Sequence, residues 1–254
     1  MNIFGKDKEN PVAVATLADE QVVQKGLGRL YAPDARDRAH ELTESALRGI
    51  KREQPAARAT PWRLGPIMDQ GQTSRCTVFA FAAFLQAEPY RHTLAWADAD
   101  FTTRYERAQR DDEFPGEDYD GTSERAVLKG AKDDGIITEY RPVYEIEIAK
   151  EFLRTRGGLL AGTEWLACMG APGKNGYVEV DGRAAEGAGH ETFVRWYYPK
   201  GHKRFPDTFE FQNSWGKEWG ENGLFRMKAK DFEWLVFKLN GDLWSPTEAA
   251  RVRK

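Results

Sequence analysis

Residues 212–223 read QNSWGKEWGENG, in which two tryptophans, three glycines and two asparagines crowd into twelve positions with hardly any aliphatic side chain. Glycines suit tight turns around bulky indoles. Immediately upstream, TFEFQNS (208–214) alternates, so Phe209, Phe211 and Asn213 share one face of a strand. An amide that closes a core-facing aromatic row must find hydrogen-bond partners. A decorated hairpin turn would explain the glycines but neither the amide nor its neighbours.

Working outward, the next informative stretch is DQGQTSRCTVFAFAAFLQAEP (69–89), apolar on every face from Cys76 to Leu85. This predicts a helix buried on all sides, starting after Thr73 or Ser74 and ending before Pro89. Cys76 then lies in the first turn of a capped helix, where unpaired N–H groups and the positive dipole end favour thiolate. Taken alone, a cysteine ahead of TVFAFAAF reads first as a small core residue. A reactive thiolate needs a histidine partner. His40 falls on an early helix, His92 beyond a helix end and His202 in the charged turn PKGHKRF, all simply solvated positions. His190 differs, because it stands between the glycines of EGAG and the strand ETFVRWYY. If its neighbour strand carries Asn213, the amide oxygen accepts from one ring nitrogen, the other faces Cys76, and Trp215 shields the pair.

The rest of the chain supplies a frame for these groups. With 254 residues, 41% of them hydrophobic and 12% aromatic, the chain can fill a real core. A net charge of -3 gives no field that implies nucleic acid or an anionic membrane. No apolar run reaches membrane-spanning length, the first residues lack a secretory pattern, and Cys76 and Cys168 are too few for a disulfide scaffold. An intracellular, cytoplasmic protein with free thiols is expected. Residues 1–60 read as an arm carrying a helix over about 34–51 behind an Asp34 cap, and QPAARATP marks a boundary before a body at 61–254. In the body, helices are predicted at DFTTRYERAQRD, TSERAVLKGAKDDG and EIAKEFLRTRGG, followed by short strands LLAGTEWL, GYVEV, ETFVRWYY, TFEFQNS and LFRMK. Helices first and strands later give an α+β fold whose sheet half is antiparallel or an open barrel.

FQNSWGKEWGENGLFRM resembles the asparagine-bearing segment of the papain-like cysteine peptidases, in which Asn-Ser-Trp-Gly is followed by Trp-Gly and a further Gly. DQGQTSRCTVFAF resembles their nucleophile segment, GAGHETFVRWYY their histidine strand, and the order Gln, Cys, His, Asn is kept. The resemblance spans roughly 61–240. It implies a helical half with the cysteine on a central buried helix and a sheet half carrying histidine and asparagine. It makes Cys76 the nucleophile, His190 the base and later acid, Asn213 the group that orients the ring, and Gln70 an oxyanion donor beside the Cys76 N–H. It places Gly121, Gly189 and Trp215 along the substrate cleft. The implied activity is thiol-dependent hydrolysis of peptide or protein substrates, with no metal or organic cofactor. Related enzymes carry inhibitory prosegments, so the first sixty residues are expected over the cleft or docked to a partner.

There are departures from the pattern. Thr73 replaces a disulfide cysteine, Thr77 replaces an aromatic wall beside the sulfur, and Glu191 follows the histidine where a small residue is usual. His190 lies 114 residues beyond Cys76, shorter than the roughly 130–150 of the family. These leave two alternatives open: a non-catalytic binding or assembly module on the same fold, or acyl transfer to an amine. DYDG lacks the first and last ligands of a calcium loop, GLGRLY lacks a dinucleotide turn's third glycine, and no Cys/His cluster has zinc spacing. Cys168 reads as structural.

Overall fold

A computed structural model describes residues 25–50, 58–116, 119–181 and 189–246. A 3-10 helix at Ala35–His40 precedes α1 (Glu44–Gly49), α2 (Cys76–Gln86), α3 (Asp98–Asp111), α4 (Glu124–Asp133) and β1 (Tyr140–Pro142). Then come α5 (Ile146–Thr155), β2 (Leu159–Glu164), β3 (Gly189–Tyr198), β4 (Thr208–Gln212), β5 (Leu224–Lys228), α6 (Ala229–Lys238) and β6 (Asp242–Pro246). The strands form one open antiparallel sheet in the order β1-β6-β2-β3-β4-β5.

α2 is the pivot. Every residue from Cys76 to Leu85 is buried, because the helix lies between α3 and α4 on one side and β3 on the other. Phe79 stacks on Phe101 with ring centroids 4.2 Å apart, and Phe84 meets Phe193 of β3 edge-on at 6.5 Å. Both faces of the sheet's middle are covered. Leu160, Phe193 and Trp244 join the α2 core, while Leu159, Ala161, Val194 and Leu243 join a second core with α5 and α6. With both faces covered, the polar residues of these strands are buried too: Glu191 and Thr192 of β3 and Thr208, Glu210 and Gln212 of β4.

Four expectations are corrected. The single helix expected over 34–51 is broken into the 3-10 turn and α1, with residue 51 outside the described residues. Asp34 accepts from Arg36 N at 2.8 Å and Thr43 caps a new helix by accepting from Ala46 N at 3.1 Å. Between them Leu42 N donates to Pro142 O, which draws the chain out and buries Leu42. GYVEV is not a strand of the sheet: Tyr177 makes one parallel bridge to Arg226 after a turn in which Asn175 is left-handed. Helices do not all precede strands, since α6 follows β5 and β1 precedes α5. Lastly, neither Thr73 nor Ser74 caps α2. Arg75 is its cap residue without a side-chain bond, and the Thr73 hydroxyl donates instead to Gln70 O at 2.6 Å.

Phe193 is the side chain that ties the histidine strand to α2. Phe193→Ala should cost about 3–5 kcal/mol through the cavity it leaves. The check is urea unfolding, where the midpoint should fall with the slope unchanged; an unshifted midpoint would show that this contact does not hold the halves together.

Candidate active site

Cys76 is the first residue of α2, and its side chain is fully buried. Burial pushes the thiol up to about 12; the Glu191 and Thr77 backbone N–H groups, which donate toward the sulfur, pull the other way, and the nearby Glu191 and Glu124 carboxyls add to the rise. The Glu191 amide places the sulfur against β3 one residue beyond His190. Three segments far apart in the chain therefore meet here.

His190 is also fully buried. Its Nε2 lies 2.8 Å from Asn213 Oδ1. The same oxygen accepts from Ser214 N at 2.7 Å, which identifies it as the oxygen end of the amide and makes Nε2 the protonated ring nitrogen. Nδ1 is left as an acceptor with no hydrogen-bond partner among the described residues. Burial lowers this imidazole to about 4, opposed by the Asn213 bond. The indoles of the 212–223 stretch hold the ring. Trp215 stacks on His190 at 4.7 Å and Trp219 packs edge-on against Trp215 at 5.2 Å.

Two supporting residues escaped sequence reading. Trp165, at the end of β2, meets His190 edge-on at 4.9 Å and completes the aromatic cage. Nothing in LLAGTEWL distinguishes it from an ordinary core tryptophan. Ser214 Oγ donates to Gln70 Oε1 at 2.5 Å, which orients the amide so that its nitrogen donates to Thr73 O at 2.6 Å and to Gly26 O. Its position inside the Asn-Ser-Trp-Gly run was the available signal.

The cleft is not vacant, because residues 25–30 (KGLGRL) cross it. Gly26 N donates to Gly71 O at 3.2 Å, and Gly26 O accepts from Gln70 Nε2 at 3.1 Å and Trp215 Nε1 at 3.3 Å. Further on, Gly28 N and Arg29 N both donate to Gly189 O, while Leu30 N donates to Thr122 O and Thr122 N to Gly28 O. The fit is close enough to require glycine. A Cβ on Gly26 or Gly28 would collide with the carbonyl oxygen of Thr73 or Ser74, and one on Gly121, whose φ is 108°, would sit 2.6 Å from Gly28 O. Gly121, Gly189, Gln70 and Trp215 thus all touch this segment.

The departures also resolve. Thr77 is buried, its hydroxyl without a hydrogen-bond partner among the described residues. Glu191 pairs opposite Gly162 and bears on the Cys76 thiol; His190 responds only to burial and Asn213. Cys168 is a free, half-buried thiol 3.8 Å from Asp181 Oδ1. His202 is not merely solvated, since its Nδ1 accepts from Phe205 N at 3.0 Å. Among the described residues no group of three or more His, Cys, Asp or Glu could hold a metal ion, and no helix is long and apolar enough to cross a membrane.

Solved structures resemble this arrangement. Xylellain, a cysteine protease from Xylella fastidiosa, aligns at TM-score 0.59 and 18% identity over 90% of this chain and 98% of its own. Digestive procathepsin L2 from the larval midgut of Tenebrio molitor aligns at 0.62 and 12% over 88% and 78%, and procathepsin L 3 of the same insect at 0.55 and 13% over 78% and 74%. The chain has the papain-like cysteine peptidase fold. No protein-family model matches the sequence and no curated protein matches it. At these identities the likeness extends to the fold alone.

Within this papain-like fold the buried imidazole makes a pH prediction. Its folded value is depressed to about 4 from an ordinary 6.5. The unfolded chain therefore binds more protons between those values, so the contribution of neutral His190 is full above about 6.5 and lost as pH falls toward about 4. The difference in unfolding free energy between the wild type and His190→Gln should shrink across that window on acidification. A difference that stays flat would place His190 in water.

Proposed function

We propose that the protein is a thiol-dependent peptidase that cleaves through an acyl-enzyme on Cys76. The observation that carries this reading is the 2.8 Å Asn213–His190 bond, which leaves Nδ1 unpartnered on a ring adjacent to the Glu191 amide that the sulfur meets. In the proposed sequence Nδ1 takes the Cys76 proton as the sulfur attacks the peptide carbonyl. The oxyanion is stabilised by Gln70 Nε2 and the Cys76 N–H, a helix-end donor. The imidazolium then protonates the leaving amine, and water, deprotonated by the same nitrogen, releases the acid and frees the thiol. Trp215, Trp165 and Trp219 keep water from the Asn213–His190 bond. Gly121 and Gly189 serve as backbone edges for the bound peptide.

In full-chain protein Cys76→Ala should abolish hydrolysis of a fluorogenic peptide while circular dichroism and unfolding stay native-like. Hydrolysis retained by this variant refutes the assignment.

The segment across the cleft supports a second element of the reading, namely that residues 25–30 hold the enzyme at rest. They accept from the Gln70 amide and cover the glycine edges, beside a thiol and an imidazole that burial keeps neutral. Removing residues 1–55 would be a poor test, since it also takes Leu42 and Leu47 out of the core. Gly28→Val is better, because its side chain has no room against Ser74. That variant should raise turnover and Cys76 alkylation by about tenfold or more by removing the closed population. Equal rates in the two proteins would remove the inhibitory role.

A further inference from the structure

Arg29 is the one long side chain that the cleft-crossing segment drives inward. Its guanidinium is fully buried. Nη1 donates to Asn240 O at 2.7 Å and Nη2 lies 3.1 Å from Asp242 Oδ2. The space it fills exists because β2 carries glycine at position 162: a Cβ there would collide with Arg29 Nε and Asp242 Oδ1 and lie 2.7 Å from Glu191 Oε2. Glu124, at the start of α4, adds another carboxylate, and it and Glu191 are each fully buried.

Glu191 and Glu124 are unusual tenants. All four of their carboxylate oxygens lack a hydrogen-bond partner among the described residues even with Arg29 seated, as does Asp242 Oδ1. Burial holds both glutamates well above the ordinary carboxylate range; Glu191 and Asp242 add to the rise at Glu124, Asp242 adds to it at Glu191, and Arg29 pulls Glu191 back. Burying acid groups whose oxygens have no hydrogen-bond partner is costly. The pocket also offers more acceptor oxygens than Arg29 uses. Of these groups only Asp242 forms an ion pair with it within 4 Å.

The backbone above the pocket is the second half of the argument. Arg29 is bridged to Thr122 on one wall of the cleft and to Gly189 on the other. Gly189 precedes His190, and Glu191 follows it. A peptide hydrogen-bonded to those same edges, beside the reacting groups, directs a side chain into the same space. We propose that Glu124, Glu191, Asp242 and Gly162 form a specificity pocket that selects an arginine side chain of the peptide substrate, and that Arg29 is its resident occupant. This rests on the peptidase reading for its substrate but not for its binding chemistry. A guanidinium suits the site better than an ammonium, because its flat fork offers several donors to acceptors arranged around it.

Two measurements on the full chain separate the pocket from the catalysis. In Gly28→Val/Cys76→Ala protein, which cannot cut, fluorescence anisotropy is read with labelled peptides that differ only in one residue: arginine, its neutral isostere citrulline, or leucine. The arginine peptide should bind at least about tenfold tighter than either, the scale of a charge-assisted bond. Asp242→Asn in the same background should narrow that gap. Equal binding of the three peptides, a preference for leucine, or no binding at all overturns the pocket. In Gly28→Val protein with Cys76 intact, coumarin peptides scanned at each position flanking the scissile bond should show the same preference in kcat/KM at one position. Arginine-selective binding without cleavage upholds the pocket and removes the peptidase reading; cleavage indifferent to arginine does the reverse.

Discussion

The packing of β3 onto α2 is the constraint on which the site depends. A helix apolar on all sides has no stable position at a surface, so it must be enclosed, and the sheet supplies one wall through Phe193 and Trp244. Once Phe193 is seated against Phe84, the strand's register fixes where every other β3 residue points. His190 and Phe193 are then committed to different surroundings, one in the tryptophan cage and one in the helical core. The β4 strand pairs with β3 from Phe193–Gln212 onward, which brings Asn213, just past the end of that ladder, level with the histidine. A slip of one residue would turn the imidazole out of the tryptophan cage and away from Asn213. Tight hydrophobic packing distant from the chemistry thus does the positioning.

Much of this could be read from the sequence because the relevant signals are local. The Cys76–Leu85 run, the Gly-His strand and the 212–223 stretch each betray their structure within about a dozen residues. Alternation puts Asn213 on the face of Phe209 and Phe211, and the β3–β4 pairing then brings it to His190. What could not be read depends on partners remote in sequence. β1 and β6 are only three and five residues long, contain proline and pair with each other across about a hundred positions, so neither has a strand-like signature of its own. The α2 start defeats simple cap rules because Thr73 is drawn to Gln70, and Arg75 is pulled away to Asp98 and Thr102. Trp165 becomes part of the site only through the company it keeps.

Glu191 shows the same limit more sharply. Read as a neighbour of a catalytic histidine, it looks like a perturbation of the imidazole. In a strand, however, adjacent side chains point to opposite faces, so the residue nearest in sequence is among the least able to touch the ring. Its carboxylate instead belongs to the pocket around Gly162, with Asp242 from a different strand and Glu124 from a helix. Gly162 carries the complementary information. An isolated glycine in a strand weakens it unless something needs the space, and here the space holds a guanidinium.

Magnitudes decide what state the thiol adopts while residues 25–30 are in place. A helix N-terminus favours a nearby anion by about 0.3–1 kcal/mol, up to about 2 in partly buried sites. Burial raises the Cys76 thiol from an ordinary 9.0 to about 12, equivalent to about 4 kcal/mol at 1.36 kcal/mol per tenfold change in acidity. The dipole therefore loses, and the imidazole, held near 4, has equally little tendency to accept the proton. Sulfur and ring are both neutral for the same reason, their full burial. In the proposed reading, water or a polar substrate reaching the pair would lower the thiol and raise the imidazole together, narrowing the gap between them toward that of the ordinary values, 9.0 and 6.5. Displacing residues 25–30 would free the Gln70 amide and the Trp215 indole from Gly26 O, and Gly189 O from Gly28 N and Arg29 N, while Cys76 stays at the head of α2 and His190 on β3.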